Sequence, residues 1–279
     1  MKVLITGGAG QLGTELSQLL AADCNVQAWD IDKLDVSAGE KTINQIINAN
    51  PDLVIHCAAY TDVDGCEKNK NQAYCVNAYG TRNIAAACWE CNATLVYIST
   101  DFVFDGRQTE PYIEFDQTNP LNVYGKSKLA GEKFVKNILN KYFIVRTAWL
   151  YGTTGNNFVK TMLKLAAKEK TLTIVNDQVG SPTYTKDLAE VINKLMVTKL
   201  YGTYHVANNG QCSWYQFANE IFDHSNKQIK VKPITSQKIT RLAPRPSYSA
   251  LNNYSLEQTL DYTMRNWKTA LKDCLTRLP

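Results

Sequence analysis

Apolar residues in this chain fall into short runs, each followed by a glycine turn or by a stretch in which they recur every three or four positions. KVLIT (residues 2–6) is the first run; the glycines of GGAGQLG follow it, and Leu12, Leu16, Leu19 and Leu20 then keep helical spacing. That pattern predicts strand, glycine turn and helix. NVQAWD predicts a second strand, GEKTINQIINAN a second helix, and PDLVIHCAA a third strand apolar on both faces, as in a parallel sheet. A long helix is expected over about 70–91, then a fourth strand at TLVYIST, a loop-rich segment at 101–121, a helix over 123–139 and a fifth strand at KYFIVRTAWLYG.

Strands alternating with helices at this rhythm predict an α/β fold, a doubly wound, Rossmann-like parallel sheet. The rhythm loosens after Gly152. There the pattern predicts a helix near 156–169, a short strand at LTIVND, a helix near 185–197 and a strand at GTYHVAN. We therefore expect a dinucleotide-binding domain over residues 1–151, with returns to its sheet near 172–206. Residues 152–279 are expected to form mainly a smaller, interleaved substrate-binding lobe.

Composition narrows the chemistry. With 44% hydrophobic and 20% charged residues the chain can bury a full core, and a net charge of +4 with the two signs interspersed marks neither a nucleic-acid face nor a membrane surface. Small-molecule chemistry is the expectation, with no nucleic-acid or membrane partner. MKVLITGGAG lacks the length and cleavage pattern of a signal peptide, and eight scattered cysteines read as reduced thiols, so a cytoplasmic location is expected. The one CxxC, Cys88 to Cys91, has no second pair or histidine cluster to complete a zinc site, and reads as two small apolar residues near a helix end.

Gly7, Gly10 and Gly13 stand directly between a strand and a helix. The missing side chains allow a tight turn and close approach of a pyrophosphate, and the helix start offers free N–H groups, so Gln11 and Leu12 are counted with the turn as cofactor contacts. Asp30, at the end of the second strand, can accept from an adenosine ribose, as can Asp35 beside Val36; at least one of Asp30, Asp32 and Asp35 is a plain solvated turn residue. Carboxylates lean toward NADH. Lys33, next to them, could instead receive the 2′-phosphate of NADPH, so both cofactors stay open.

In NVYGKSKLAGE, Tyr124 and Lys128 are four residues apart and therefore neighbours on one helical face. Alone, such a pair is most often a solvated helix with one aromatic turned inward. A nearby cation, however, favours the ionised form of a phenol and lets it relay a proton.

Taken together, the glycine turn, Thr100 closing the fourth strand and Tyr124-x-x-x-Lys128 resemble the extended short-chain dehydrogenase/reductase family. The phrases STDFVFDG, RTAWLYG, GNNFVKTMLKLA, NDQVGSPTYTKDLA and RPSYSALN are similar, over nearly the whole chain, to its dTDP-4-dehydrorhamnose reductase branch. By that resemblance Thr100 hydrogen-bonds a substrate carbonyl, Tyr124 supplies its proton, and Lys128 lowers the phenol's pKa while holding the nicotinamide ribose. Asn77 supports the lysine through water and counts with the cofactor site; Ala58, Ala59, Tyr60 and Thr61 line the nicotinamide, with Ser99 nearby.

The resemblance further implies a nucleotide-sugar substrate, with Val63, Asp101, Phe102 and Trp149 around the sugar and Asn156, Asn157 and Arg245 on the nucleotide diphosphate. Core packing is an equal reading for Phe102. The expected reaction is reduction of the 4-keto group of a dTDP-linked 6-deoxy-4-hexulose by NADPH or NADH, yielding dTDP-L-rhamnose for cell-surface polysaccharide. The family's dehydratases carry a carboxylate pair after the threonine; here Phe102 follows Asp101 and abstracts no proton, so dehydration is not expected. A 4-epimerase shares the triad, and a non-catalytic regulatory subunit shares the fold, so both remain alternatives. Glu15 fits the magnesium bridge described for some relatives, but Lys186 falls where a second acid is expected. No metal and a monomer or weak homodimer are therefore expected.

Overall fold

The computed structural model describes residues 1–225 and 227–278. Its organising element is a six-stranded parallel sheet built from β1 (Lys2–Thr6), β2 (Asn25–Trp29), β3 (Leu53–His56), β4 (Thr94–Thr100), β5 (Tyr142–Thr147) and β10 (Gly202–His205). The spatial order is β10-β5-β4-β3-β1-β2. Strand order therefore reverses between β1 and β3, which opens a crevice beyond their carboxyl ends, where open α/β sheets bind ligands.

Helices cover both faces. On one side α1 (Gln11–Leu20) and α8 (Thr185–Met196) pack with Ile5, Leu16, Val145 and Leu188; on the other, α2 (Glu40–Ala49), α5 (Thr81–Glu90) and α6 (Val123–Ile138) enclose Ile46, Val54, Ile84 and Leu95. All four residues of β3 are buried. A strand covered on both faces has no reason to alternate, which is why its sequence is one apolar run.

Short elements complete the chain. β6 (Leu150–Tyr151) pairs with β9 (Thr183–Tyr184), β7 (Thr171–Val175) with β12 (Lys230–Ile234), and β8 (Val179–Gly180) with β11 (Cys212–Ser213). With α7 (Phe158–Ala166), α9 (Trp214–His224) and α11 (Trp267–Thr276) they surround a separate core of Tyr151, Phe217, Ile221, Trp267 and Leu271. α3 (Val63–Lys68), α4 (Lys70–Tyr74) and α10 (Tyr254–Leu260) are short helices of five to seven residues.

Three elements differ from the pattern reading. The fifth strand is broken: β5 stops at Thr147, and Trp149 takes a positive φ of 47° before β6 resumes. The long helix at 70–91 contains a π-helical turn, Cys75–Gly80, between α4 and α5, a local register change of the kind found at functional sites. The helix expected from 156 begins at Phe158, because the Asn157 side chain accepts from Lys160 N and so caps it.

Candidate active site

Glycine shapes the crevice at β1. Gly7 has φ +66°, and a Cβ there would lie 2.8 Å from Ala58 N; a Cβ on Gly13 would overlap the Gly7 carbonyl. Gly10 begins α1 without a side-chain cap, so the first-turn N–H groups remain available to an anion. The crevice holds a cavity of about 640 Å³ lined by Gly7, Gly10, Gln11, Leu12, Gly13, Asp30, Asp35, Val36, Ala58, Ala59, Thr61, Ser99, Tyr124 and Lys128. Its glycine cradle and its size suit a dinucleotide.

The carboxylate of Asp30 is held in place: Oδ2 accepts from Ala9 N at 2.9 Å and Oδ1 from Ile31 N at 2.8 Å. The end of β2 is thereby tied to the glycine turn. Asp35 Oδ1 accepts from both the backbone and hydroxyl of Ser37, which lowers its pKa.

Tyr124 and Lys128 lie on the first turns of α6, whose N-cap is Asn122, accepting from Gly125 N at 2.8 Å. Gly125 lets this helix meet the turn after β4: a Cβ there would overlap the Phe102 carbonyl. Lys128 is buried, donates from Nζ to Ile98 O at 2.7 Å and lies 4.2 Å over the Tyr97 ring. Burial drives its pKa down to about 7, against the pull of Glu132 one turn on. Burial drives the Tyr124 phenol up, opposed by the adjacent Thr100 hydroxyl. Burial is the largest influence on the phenol, which is held neutral, in the form that donates a proton.

Behind the pair lies a buried charge network. Arg146 grips Glu132 with two bonds, Nε to Oε1 at 2.9 Å and Nη2 to Oε2 at 2.8 Å, and the Ser99 hydroxyl donates to Oε1 at 2.6 Å. The two charged side chains are 3% and 1% exposed, so this interaction is shielded from solvent and pins α6 to β4 and β5.

A second cavity of about 480 Å³ abuts the first, lined by Val63, Phe102, Phe158, Trp214, Arg241 and Arg245 among others. Thr61, Thr100, Asp101, Tyr124 and Trp149 line both cavities. The phenol thus stands at the junction. Asp101 is buried there, its pKa raised to about 6 by desolvation against the hydrogen bonds it accepts from Ser249 and Thr100.

The family described as RmlD substrate binding domain matches residues 1–279. This chain belongs to that family. A spore coat polysaccharide biosynthesis protein, SpsK, of Bacillus subtilis is 42% identical, covering 98% of this chain and 96% of its own length. A dTDP-4-dehydrorhamnose reductase of Clostridium acetobutylicum superposes with TM-score 0.96 at 48% identity, covering 99% of each chain. A dTDP-4-dehydrorhamnose reductase of Bacillus anthracis, solved in complex with NADP, superposes with TM-score 0.96 at 45% identity, covering 99% of this chain and 98% of that one.

Several side chains expected in the site of this RmlD-family chain lie elsewhere. Asn77 is fully buried, and its amide is spent on Tyr60 N, Tyr60 O and Ser127 Oγ, at 2.8, 3.1 and 3.0 Å. It braces the wall of the cleft through Ser127, the residue before Lys128, and does not line the cavity. Tyr60 is packed with Cys66, Val123 and Tyr124 outside the dinucleotide cavity. Asn156 lines the dinucleotide cavity rather than the second one. Asn157 lines neither: besides capping α7 it donates to Gln11 Oε1 at 2.9 Å and Gly152 O at 2.9 Å, clasping the glycine turn to the loop after β6. Arg245 does line the second cavity, but its fork is paired with Asp64, at 3.3 and 2.9 Å, which lowers the Asp64 pKa to about 2.

Sequence reasoning passed over Arg241, Gln178, Ser249, Phe158 and Trp214, all of which line the second cavity. Arg241 had a readable signal, being a second arginine four residues before Arg245. The others come from distant elements, and only the fold collects them.

Glu15 sits among Arg277, Lys186 and Glu190, its pKa raised first by burial. Among the described residues no group of three or more His, Cys, Asp or Glu side chains is placed to hold a metal ion, and no helix is long and apolar enough to cross a membrane.

Proposed function

We propose that this chain reduces the 4-keto group of dTDP-4-dehydro-6-deoxy-L-mannose to give dTDP-L-rhamnose, using NADPH or NADH. The observation that carries the reading is the placement of Thr100 and Tyr124 in the wall common to a dinucleotide cavity and a second, arginine-bearing cavity. The names of the relatives support the substrate and the NADP-bound relative supports the cofactor.

When bound, the dinucleotide supplies a hydride to the ketone carbon. Thr100 orients the ketone oxygen by turning its hydroxyl proton from Asp101 toward it, and Tyr124, kept neutral by burial, donates the proton that the developing alkoxide takes up. Lys128 contributes positive charge beside that oxygen and a donor for the ribose. Asp30 and Asp35 hold the adenosine side. Val63, Asp101, Phe102 and Trp149 enclose the sugar, and Arg241 and Arg245 bind the diphosphate, where a guanidinium fork matches phosphate oxygens. Residues 1–151 are then mainly the dinucleotide-binding domain and 152–279 mainly the substrate lobe. We read the enzyme as cytoplasmic, metal-free and monomeric or weakly dimeric.

Reduction consumes one reduced cofactor per sugar, whereas a 4-epimerase returns its cofactor unchanged. With the keto sugar limiting, NADPH or NADH absorbance at 340 nm is expected to fall by one equivalent per sugar added. No net loss with either cofactor, while the sugar is converted, would assign the site to epimerisation.

A further inference from the structure

Trp149 has an unusual position. It breaks the β5–β6 line with φ 47°, a region that bulky side chains rarely enter, and its indole lies face to face with that of Trp214, ring centroids 3.5 Å apart and planes 5° from parallel. Aromatic pairs left to themselves prefer offset or edge-on arrangements at larger separation, so the surroundings impose this one. Those surroundings are visible. Phe158 backs Trp214 at 4.5 Å, and Gly180 gives room at the other ring, since a Cβ there would lie 2.5 Å from Trp149 Cε2.

Trp214 is itself held at the start of α9. Ser213 and Gln216 form a reciprocal capping box there, and the Ser213 hydroxyl donates to Asn176 Oδ1 at 2.7 Å. Cys212 pairs with Gly180 across β11 and β8, so the residue that leaves space for Trp149 and the residue that stacks on it are fixed to one another. Core packing alone does not account for the pair: both indoles are only partly buried and both line the second cavity, whereas Phe217, one turn along α9, is fully buried.

We propose that Trp214 is a positioning residue for the sugar: by stacking on Trp149 it sets the plane in which that indole meets the hexose. The proposal rests on the reading of Trp149 as a wall of the sugar site. It assigns Trp214 a role in affinity for the nucleotide sugar and none in dinucleotide binding, because Trp214 does not line the dinucleotide cavity.

The test uses the full chain with Trp214→Ala, Trp214→Leu, Trp214→Phe and Trp149→Ala, the leucine variant serving where alanine impairs folding. Circular dichroism reads the stacked indoles as an exciton couplet, and calorimetry gives Kd for dTDP-L-rhamnose and for NADPH. Trp214→Ala or Trp214→Leu is expected to abolish the couplet and weaken dTDP-L-rhamnose about tenfold, equal to ~1.4 kcal/mol, with NADPH within about twofold; Trp214→Phe restores sugar affinity to within about threefold. Loss of the couplet with unchanged sugar affinity, or equal weakening of both ligands in all three Trp214 variants, overturns the proposal. Should Trp149→Ala bind dTDP-L-rhamnose normally, the wall reading fails and the proposal with it. Should Trp149→Ala weaken the sugar while the Trp214 variants do not, the proposal alone fails.

Discussion

Replacing Tyr124 with phenylalanine is expected to lower kcat/KM for the keto sugar by about 10²- to 10⁴-fold, the usual worth of a positioned general acid. NADPH affinity should stay within about threefold, since one hydroxyl among many contacts is lost. The phenyl ring fits the space already occupied: Tyr124 packs edge-on to Phe102, ring centroids 5.8 Å apart, and that contact survives the substitution. What disappears is the only phenol among the described residues that lines both cavities. The large effect follows because the other hydroxyl beside the ketone, that of Thr100, is an aliphatic alcohol and a poor substitute acid. Steady-state rates with a titration of NADPH binding check both halves. Turnover within about tenfold of wild type would remove the tyrosine from the proton-donor role.

Glu132→Ala should cost about 3–5 kcal/mol of folding stability, because it strips a buried arginine of its partner. Arg146 is 3% exposed, with its Nε and Nη2 bonds both directed to Glu132. Its other close neighbours are the Phe104 ring, 5.3 Å from the guanidinium carbon, and His205, whose pKa burial depresses to about 3 so that it is neutral; neither offers a counter-charge. For a domain whose total stability is about 5–15 kcal/mol, such a loss is severe. Urea denaturation midpoints measure it. The companion variant Glu132→Ala/Arg146→Met, which removes both charges, is expected to regain much of the loss, since the cost lies in the uncompensated charge rather than in the missing pair. A single variant as stable as wild type would contradict this view of how α6, and with it Tyr124 and Lys128, is anchored.

The parts of this molecule that could be read in sequence are those fixed by local rules. β1, β3 and β4 are apolar runs because helices cover both faces of the parallel sheet, and Gly7 and Gly13 stand where a Cβ would strike backbone. Tyr124 and Lys128 were legible as a pair because four residues make one helical turn, with Asn122 before them as an N-cap. The break in the fifth strand was not legible, because the residues that pack around Trp149, Trp214 and Gly180, lie about 65 and 30 positions away in sequence. Asn157 shows how much of a side chain's use is fixed by distant neighbours: its Oδ1 caps α7, as an asparagine ahead of an apolar helical stretch can be read to do, while its Nδ2 donates to Gln11 and Gly152. Asn77 likewise had a partner close at hand, the Tyr60 backbone, which only the π turn brings within reach.

The central claim is that this chain delivers a hydride to the ketone carbon of the sugar while Tyr124 protonates its oxygen. Incubating the enzyme with dTDP-4-dehydro-6-deoxy-L-mannose and reduced cofactor deuterated at the transferred position of the nicotinamide tests it directly. The product expected is dTDP-L-rhamnose carrying deuterium at C4, one atom per oxidised cofactor, by proton and deuterium NMR. A converted sugar with no deuterium at C4 would contradict it.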